Sequence, residues 1–149
     1  MARVKLHRER ARPVLPAYED DLGLLRRLAF EGLYWQDEVE DLLVAIRDGG
    51  DLGELSRAGG PHISRYEAMR VELRAVHHPE LRPYAVALDE VFANHAMLLH
   101  CALDLLAVSW RSERLCEEQS RLGGVGEQGK RLARLAAEIR SLAERASAG

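Results

Sequence analysis

The stretch FANHAMLLHCALDLLAVSW, residues 92–110, decides how the rest of the chain can fold. It has the length of a helix and is apolar on almost every side, yet it contains His95, His100 and Asp104. A membrane span needs about 20 predominantly apolar residues, and the polar side chains interrupt the window that such a span would use. The stretch therefore predicts a buried helix of a globular protein, and other helices or a partner must cover it.

Glycine and proline divide the chain on either side of this stretch. Nine of the 12 glycines lie in residues 49–61 and 123–129. Between the breaks, apolar residues recur every three or four positions, which is the period of a helix with one face in a core. The pattern predicts a loop at 49–60, a turn at 123–129, and helices over about 18–48, 61–77, from 81 or 83 to as far as 122, and about 131–146.

The predicted fold class is all-α, an antiparallel four-helix bundle with long first and third helices. No segment of the sequence alternates apolar and polar residues as a half-buried strand does. A chain of 149 residues with 47 % apolar and 30 % charged residues fits one folded domain. We expect a basic, flexible amino-terminal arm at residues 1–16 and a single helical-bundle domain at 17–149.

The third helix predicts self-association. Each of the other predicted helices has an evident polar face, whereas three neighbours in a small bundle seldom cover a helix that is apolar all round. A second copy of the chain would complete the burial, so a homodimer is expected. The alternative is that the segment at 49–60, with Leu52 and Leu55, folds over the helix. The predicted interface consists of Met97, His100, Cys101, Asp104 and Val108.

His95 is the best candidate for an internal ligand site, because it falls on the main apolar stripe of the third helix. The first helix places Glu31, Trp35 and Glu38 along one ridge that could face it. Carboxylates and histidines that face each other across a bundle can hold metals. The chain has no Glu-x-x-His pair, and His95 and His100 point in different directions, so we expect no cofactor. A bundle with an internal metal or small-ligand site at these residues is the alternative function.

Two enzyme classes remain as alternatives. The acidic group Asp37, Glu38, Glu40 and Asp41 is similar in composition to that of the all-helical nucleotide pyrophosphohydrolases, without their paired-glutamate motif. The spacing of Arg70 and His77 resembles that of HEPN ribonucleases, which implies that the arginine stabilises a phosphate and the histidine moves a proton. A solvated helix face and a helix end, respectively, explain the same residues.

The amino-terminal arm carries the most uneven charge of the chain. Residues 1–12 contain five basic residues and one acid, so the rest is more acidic than the net charge of −3 indicates. The arm could contact nucleic-acid phosphates, but it lacks aromatic residues for base stacking and the acidic body would repel a polyanion. We expect a flexible, solvated tail, and docking on an acidic surface of a partner or on the acidic first helix of a second copy would also fit the charge.

The remaining features predict a cytoplasmic protein without a membrane segment. The basic start is not followed by an apolar signal-peptide core. Cys101 and Cys116 are expected on one helix, too far apart for a disulfide, and are read as reduced thiols. No catalytic signature is present in the sequence. The sequence therefore favours a non-catalytic interaction or assembly protein.

Overall fold

The computed structural model describes residues 17–107 and 113–148. Over these residues the protein is all-α, which confirms the predicted fold class, and no strand occurs among them. None of the helices in this part of the chain is long and apolar enough to cross a membrane. The helices are α1 (Tyr18–Arg47), α2 (Leu52–Leu73), α3 (Arg82–Ala107), α4 (Glu113–Ser120) and α5 (Gly126–Ala148).

The four long helices form an antiparallel bundle. α1 lies beside α2 and α5, and α3 lies beside the same two helices. α1 and α3 also touch each other across the middle of the bundle. Gly32 on α1 permits this approach, because a Cβ there would stand 2.6 Å from Cε1 of Phe92, which is fully buried. Ion pairs between neighbouring helices join Arg27 to Glu72 (2.7 Å), Arg70 to Asp89 (2.9 Å) and Arg131 to Glu90 (2.8 Å).

α2 begins nine residues before the predicted position at Pro61, so the predicted loop at 49–60 is wrong. Asp51 caps the helix, since its Oδ2 accepts a hydrogen bond from the Glu54 N–H at 2.9 Å. Proline disfavours helical geometry in the residue before it mainly through that residue's Cβ, and Gly60 has none. Gly59 also brings α2 close to α3, where a Cβ would meet Leu103 at 3.1 Å.

The turn between α2 and α3 is held by a buried acid of α1. Asp21 is 6 % exposed, and its Oδ2 accepts hydrogen bonds from the backbone N–H groups of His77 (2.9 Å) and His78 (2.8 Å). α2 has already ended at Leu73, four residues before the predicted end at His77. The first turn of α1 and the α2–α3 turn therefore share two charge-assisted hydrogen bonds.

The carboxyl-terminal half differs from the prediction at the start of α5, and its predicted third helix is described only in part. The predicted third helix, reaching as far as Leu122, is described in two pieces, α3 and α4, with residues 108–112 outside the described range. Cys101 and Cys116 therefore belong to different described helices. α5 begins within the predicted turn, at Gly126, and the Glu40 carboxylate accepts a hydrogen bond from the Val125 N–H at 2.6 Å just before it. The predicted arm at 1–16 lies outside the described residues.

Candidate functional site

One face of α3 stays exposed in the bundle. Met97 is 55 % exposed, and Cys101 one turn later is exposed as well. His100 and Asp104 lie on the same side, with His100 Nε2 3.6 Å from Asp104 Oδ2, and both side chains are largely open to solvent. Val86, eleven residues before Met97, falls on the same line and is 46 % exposed. The α3 outer face is the name used below for Val86, Met97, His100, Cys101 and Asp104.

The outer face contains four of the five residues predicted for the interface, and Val108 lies outside the described residues. The opposite side of α3 is fully packed, since Leu88, Phe92 and Leu99 are buried. α3 is therefore half covered by the bundle. The segment at 49–60 comes close, because Gly59 contacts Leu103 and Leu55 is partly buried, but the outer face remains exposed beside it.

His95 lies in the centre of the bundle with no exposed surface. Its Nε2 stands 3.0 Å from Oε1 of Gln36 on α1, and Nε2 of Gln36 lies 3.5 Å from the Gly129 carbonyl oxygen on α5. With these atoms in contact, the histidine Nε2–H donates to the glutamine Oε1, and the glutamine Nε2–H donates to the backbone carbonyl. One chain of polar groups therefore joins α3, α1 and α5.

Burial lowers the pKa of His95 to about 4, and the Val91 carbonyl one turn earlier only partly opposes this effect. The ring is therefore neutral at pH 7, and its Nδ1 makes no hydrogen bond among the described residues. Tyr66 packs edge-on against it, with ring centroids 5.5 Å apart, and the buried Tyr66 hydroxyl also lacks a partner there. Burial raises the pKa of Tyr66, so the phenol stays protonated.

The other three residues predicted for the ligand site make contacts elsewhere, on the seam between α1 and α2. Trp35 lies under the guanidinium of Arg65, whose Cζ is 3.8 Å from the indole ring centroid. Glu38 Oε2 lies 3.5 Å from His62 Nε2. Glu31 pairs with Arg27 at 3.2 Å. The contacts of these three side chains are thus separate from those that His95 makes with Gln36 and Tyr66.

His62 makes polar contacts on both sides of its ring in this seam. Arg65 donates to its Nδ1 at 2.7 Å, which leaves Nε2 protonated and directed at Glu38. Burial lowers the pKa of His62, the nearby Arg65 charge lowers it further, and Glu38 partly opposes both effects. The neutral imidazole of His62 lies between Arg65 and Glu38, and its ring packs edge-on against Trp35. These polar groups connect α1 to α2 in a largely apolar contact.

The sequence contained signals for the residues that the prediction missed. His62 stands four residues before Tyr66 and seven before Met69, on the buried stripe of α2. Gln36 follows Gly32 by four residues and precedes Val39 by three, on the stripe of α1 that faces the core. A polar side chain on a buried helical stripe needs a hydrogen-bonding partner. The same requirement holds for Gln36 and His62 as well as for His95. It predicts a hydrogen-bonding partner for each of the three side chains.

The residues considered for enzymatic roles have structural partners. Arg70 donates to Asp89 and Glu67, and the backbone N–H of His77 is bound by Asp21. Glu38 and Glu40, from the acidic group on α1, contact His62 and Val125. Within residues 17–107 and 113–148, no three histidine, cysteine, aspartate or glutamate side chains are grouped so that they could hold a metal ion.

Searches against protein families, curated proteins and solved structures found no significant match to this chain. The geometry of the site is therefore the basis for any functional conclusion.

Proposed function

We propose that the protein is a non-catalytic helical bundle that works by association, with two copies pairing through the α3 outer face. The observation that carries the proposal is the exposure of Met97, at 55 %, next to an exposed Cys101 on the most apolar of the described helices. Methionine is common at protein interfaces because its side chain adapts to the surface that it meets. Pairing would cover this residue.

The arrangement of charges suits a symmetric pair. In a twofold dimer the same patch meets itself, so each group faces a group from the same face of the other copy. His100 and Asp104 are one turn apart, and in two antiparallel copies of α3 the histidine of one chain faces the aspartate of the other. In this register the two His100–Asp104 pairs lie on either side of the twofold axis, and Met97 and Cys101 of each copy pack against α3 of the other copy beside them.

The function that follows is that of a small assembly subunit or adaptor. The interior of the bundle connects the helices through hydrogen bonds and apolar packing, while the outer face of α3 supplies the contact. The cytoplasmic location and a protein partner for the amino-terminal arm remain predictions from the sequence, and so does the absence of a catalytic role. None of them is needed for the dimer.

Sedimentation velocity of the full-length protein over a range of concentrations tests the proposal. We expect a dimer for the natural sequence and a monomer for Met97→Glu, because a carboxylate buried in the apolar part of the contact would be desolvated without a partner. Val71→Glu on α2 is the matched control, because Val71 is 57 % exposed and lies outside the outer face. It should remain dimeric.

Both substitutions place a charge at an exposed position, so neither should unfold the isolated bundle, and thermal melting by circular dichroism checks this point. A natural sequence that stays monomeric over the whole range would overturn the proposal. A Met97→Glu variant that is folded and still dimeric would also overturn it, because the dimer would then use a different face.

A further inference from the structure

A groove lies between α1 and α5, away from the α3 outer face. It encloses a volume of about 640 Å³. Phe30 and Leu33 of α1 and Ala136 of α5 supply its apolar surface, and the exposed Gly23 lines it without a side chain. Ligand sites for small molecules have volumes of about 300 to 1,000 Å³ and mainly apolar linings. The groove has the size and the lining of such a site.

The polar side chains in the groove all carry the same charge. Arg26, Arg27 and Arg140 line it, and no acidic residue does. Arg27 is already held by Glu31 and Glu72, whereas Arg26 and Arg140 form no ion pair with a residue that the structure describes. Two free guanidinium groups from two different helices therefore border an apolar groove, in a chain whose net charge is −3. An anion would complement them.

The exposed aromatic residues extend the apolar surface. Phe30 is 65 % exposed, and its ring stacks on Tyr34, which is 64 % exposed, with centroids 6.5 Å apart. Large apolar side chains exposed together in one place mark a contact or binding surface more often than isolated ones do. Phe30 lines the groove itself, so the apolar surface and the two free charges meet in one place.

We propose that this groove binds a small amphipathic carboxylate. The aliphatic or aromatic body of the ligand lies against Phe30, Leu33 and Ala136, and its carboxylate lies between Arg26 and Arg140. Guanidinium groups match the planar geometry of a carboxylate and form strong, charge-assisted hydrogen bonds with it. The inference does not depend on dimer formation, because none of these residues belongs to the α3 outer face.

The charges argue against two other occupants. The amino-terminal arm of the same chain is basic, so Arg26 and Arg140 would repel it. A long acidic helix of a partner protein would be expected to meet positive charge along the whole groove. The end of the α1–α5 seam near Gly129 is instead lined by Asp37 and Glu40 as well as Lys130. The cavity on the other side, which shares Gly23 and Arg26 with the groove, is lined by Glu19. A lining with arginines and no acid is thus confined to the groove itself, which suits a single carboxylate.

Isothermal titration of the full-length protein with sodium decanoate, kept below its micelle concentration, tests the proposal. We expect saturable binding of one decanoate per chain. Decanol, which has the same chain and no charge, should bind at least about tenfold more weakly, since a hydrogen bond to a charged group contributes more than one to a neutral group. Equal affinities for the two compounds would overturn the proposal.

Three variants locate the site. Arg26→Gln combined with Arg140→Gln should weaken decanoate binding at least about tenfold, whereas Arg134→Gln, an exposed α5 position outside the groove, should leave it unchanged. Gly23→Leu should weaken decanoate binding, because it adds a bulky side chain to the lining of the groove, and it should not lower the melting temperature, because leucine favours a helix more than glycine does. A folded Gly23→Leu variant with unchanged affinity would contradict the assignment.

The occupant is tested separately from the position. An acidic amphipathic peptide that binds in the groove while decanoate does not would replace the small ligand with a protein partner and overturn the proposal. Failure of decanoate to bind at all would have the same effect. Both outcomes are independent of the oligomeric state, so a loss of the dimer and a loss of the ligand site are distinguishable.

Discussion

Gln36 and His95 meet in the middle of the bundle although 59 residues separate them, with 3.0 Å between Oε1 of the glutamine and Nε2 of the histidine. The same glutamine side chain also donates to the Gly129 carbonyl, so a residue of α1 is hydrogen-bonded to both α3 and α5. A buried polar pair of this kind favours one register of the helices over its neighbours, because a shift would leave both groups without a partner.

The coupling between these two residues is measurable. Gln36→Leu should lower the free energy of unfolding by about 1 to 3 kcal/mol, because it leaves a buried Nε2–H of His95 unpaired. His95→Leu in the Gln36→Leu background should cost less than it does alone. Urea unfolding of the two single variants and the double variant gives the interaction energy, and a sum of single effects equal to the double effect would show that the pair is not coupled.

The burial of His95 should make the fold sensitive to acid. The unfolded chain takes up this proton near pH 6.5 and the folded protein near pH 4. Between these values the unfolded state binds more protons than the folded state. The contribution of His95 to the free energy of unfolding is therefore fully present above pH 6.5 and is lost as the pH falls towards 4. The loss amounts to about 3 kcal/mol for this residue alone.

Urea unfolding at several pH values in this window checks the expectation. His95→Gln should lose less stability on acidification than the natural sequence does, whatever its stability at pH 7. The lowered pKa of His62 acts in the same direction in both proteins, so it cancels in the comparison. Equal pH dependence in the two proteins would mean that His95 does not titrate as its burial indicates.

Two glycines of α1 should respond to alanine in opposite ways. At Gly23 an added Cβ meets nothing within 4 Å, so Gly23→Ala should stabilise the protein by about 1 kcal/mol through helix propensity. At Gly32 the Cβ would stand 2.6 Å from Phe92 in the core, so Gly32→Ala should destabilise it by about 1 to 3 kcal/mol. Denaturant midpoints of the two variants decide the matter, and the same sign for both would contradict the described contact of α1 with α3.

Dimer formation should protect Cys101 from modification. In a Cys116→Ser variant, the rate of reaction of Cys101 with N-ethylmaleimide should fall as the protein concentration rises, because pairing covers the α3 outer face. The control is a cysteine at Val71 in a chain that lacks both natural cysteines, whose rate should not depend on concentration. A dimer in which the Cys101 rate is as independent of concentration as that of the control would place the interface elsewhere.

The fold class could be predicted because helix period and breaking residues are local properties of the sequence. The beginning of α2 could not, since Gly59, Gly60 and Pro61 are each residues that disfavour a helix. Together they are compatible with a helix, because Gly60 lacks the Cβ that proline disfavours and Gly59 makes room for Leu103. That second reason depends on the position of α3, which lies far away in the sequence.

The candidate sites were predictable to different degrees. That Met97, His100, Cys101 and Asp104 share one side of α3 follows from 100° per residue. The sequence could not predict that Glu31, Trp35 and Glu38 make their contacts apart from those of His95. That prediction depends on which side of α1 faces α2. The groove between α1 and α5 could not be predicted from the sequence, because Arg26 and Arg140 are far apart in the chain. Both line the groove only because these two helices are neighbours in the fold.

Pro61 has a consequence for the motions of α2. It has no N–H to donate to the Arg57 carbonyl, so the helix lacks one backbone hydrogen bond at this point and its first turns are tied less firmly to the remainder. The first segment is also rich in glycine and mostly exposed. Its amide protons should therefore exchange with deuterium well before those around Tyr66 and Met69, through an opening that leaves the core intact. The amino-terminal turns of α2 can thus unfold and refold as a unit beside α3 while the protein remains native.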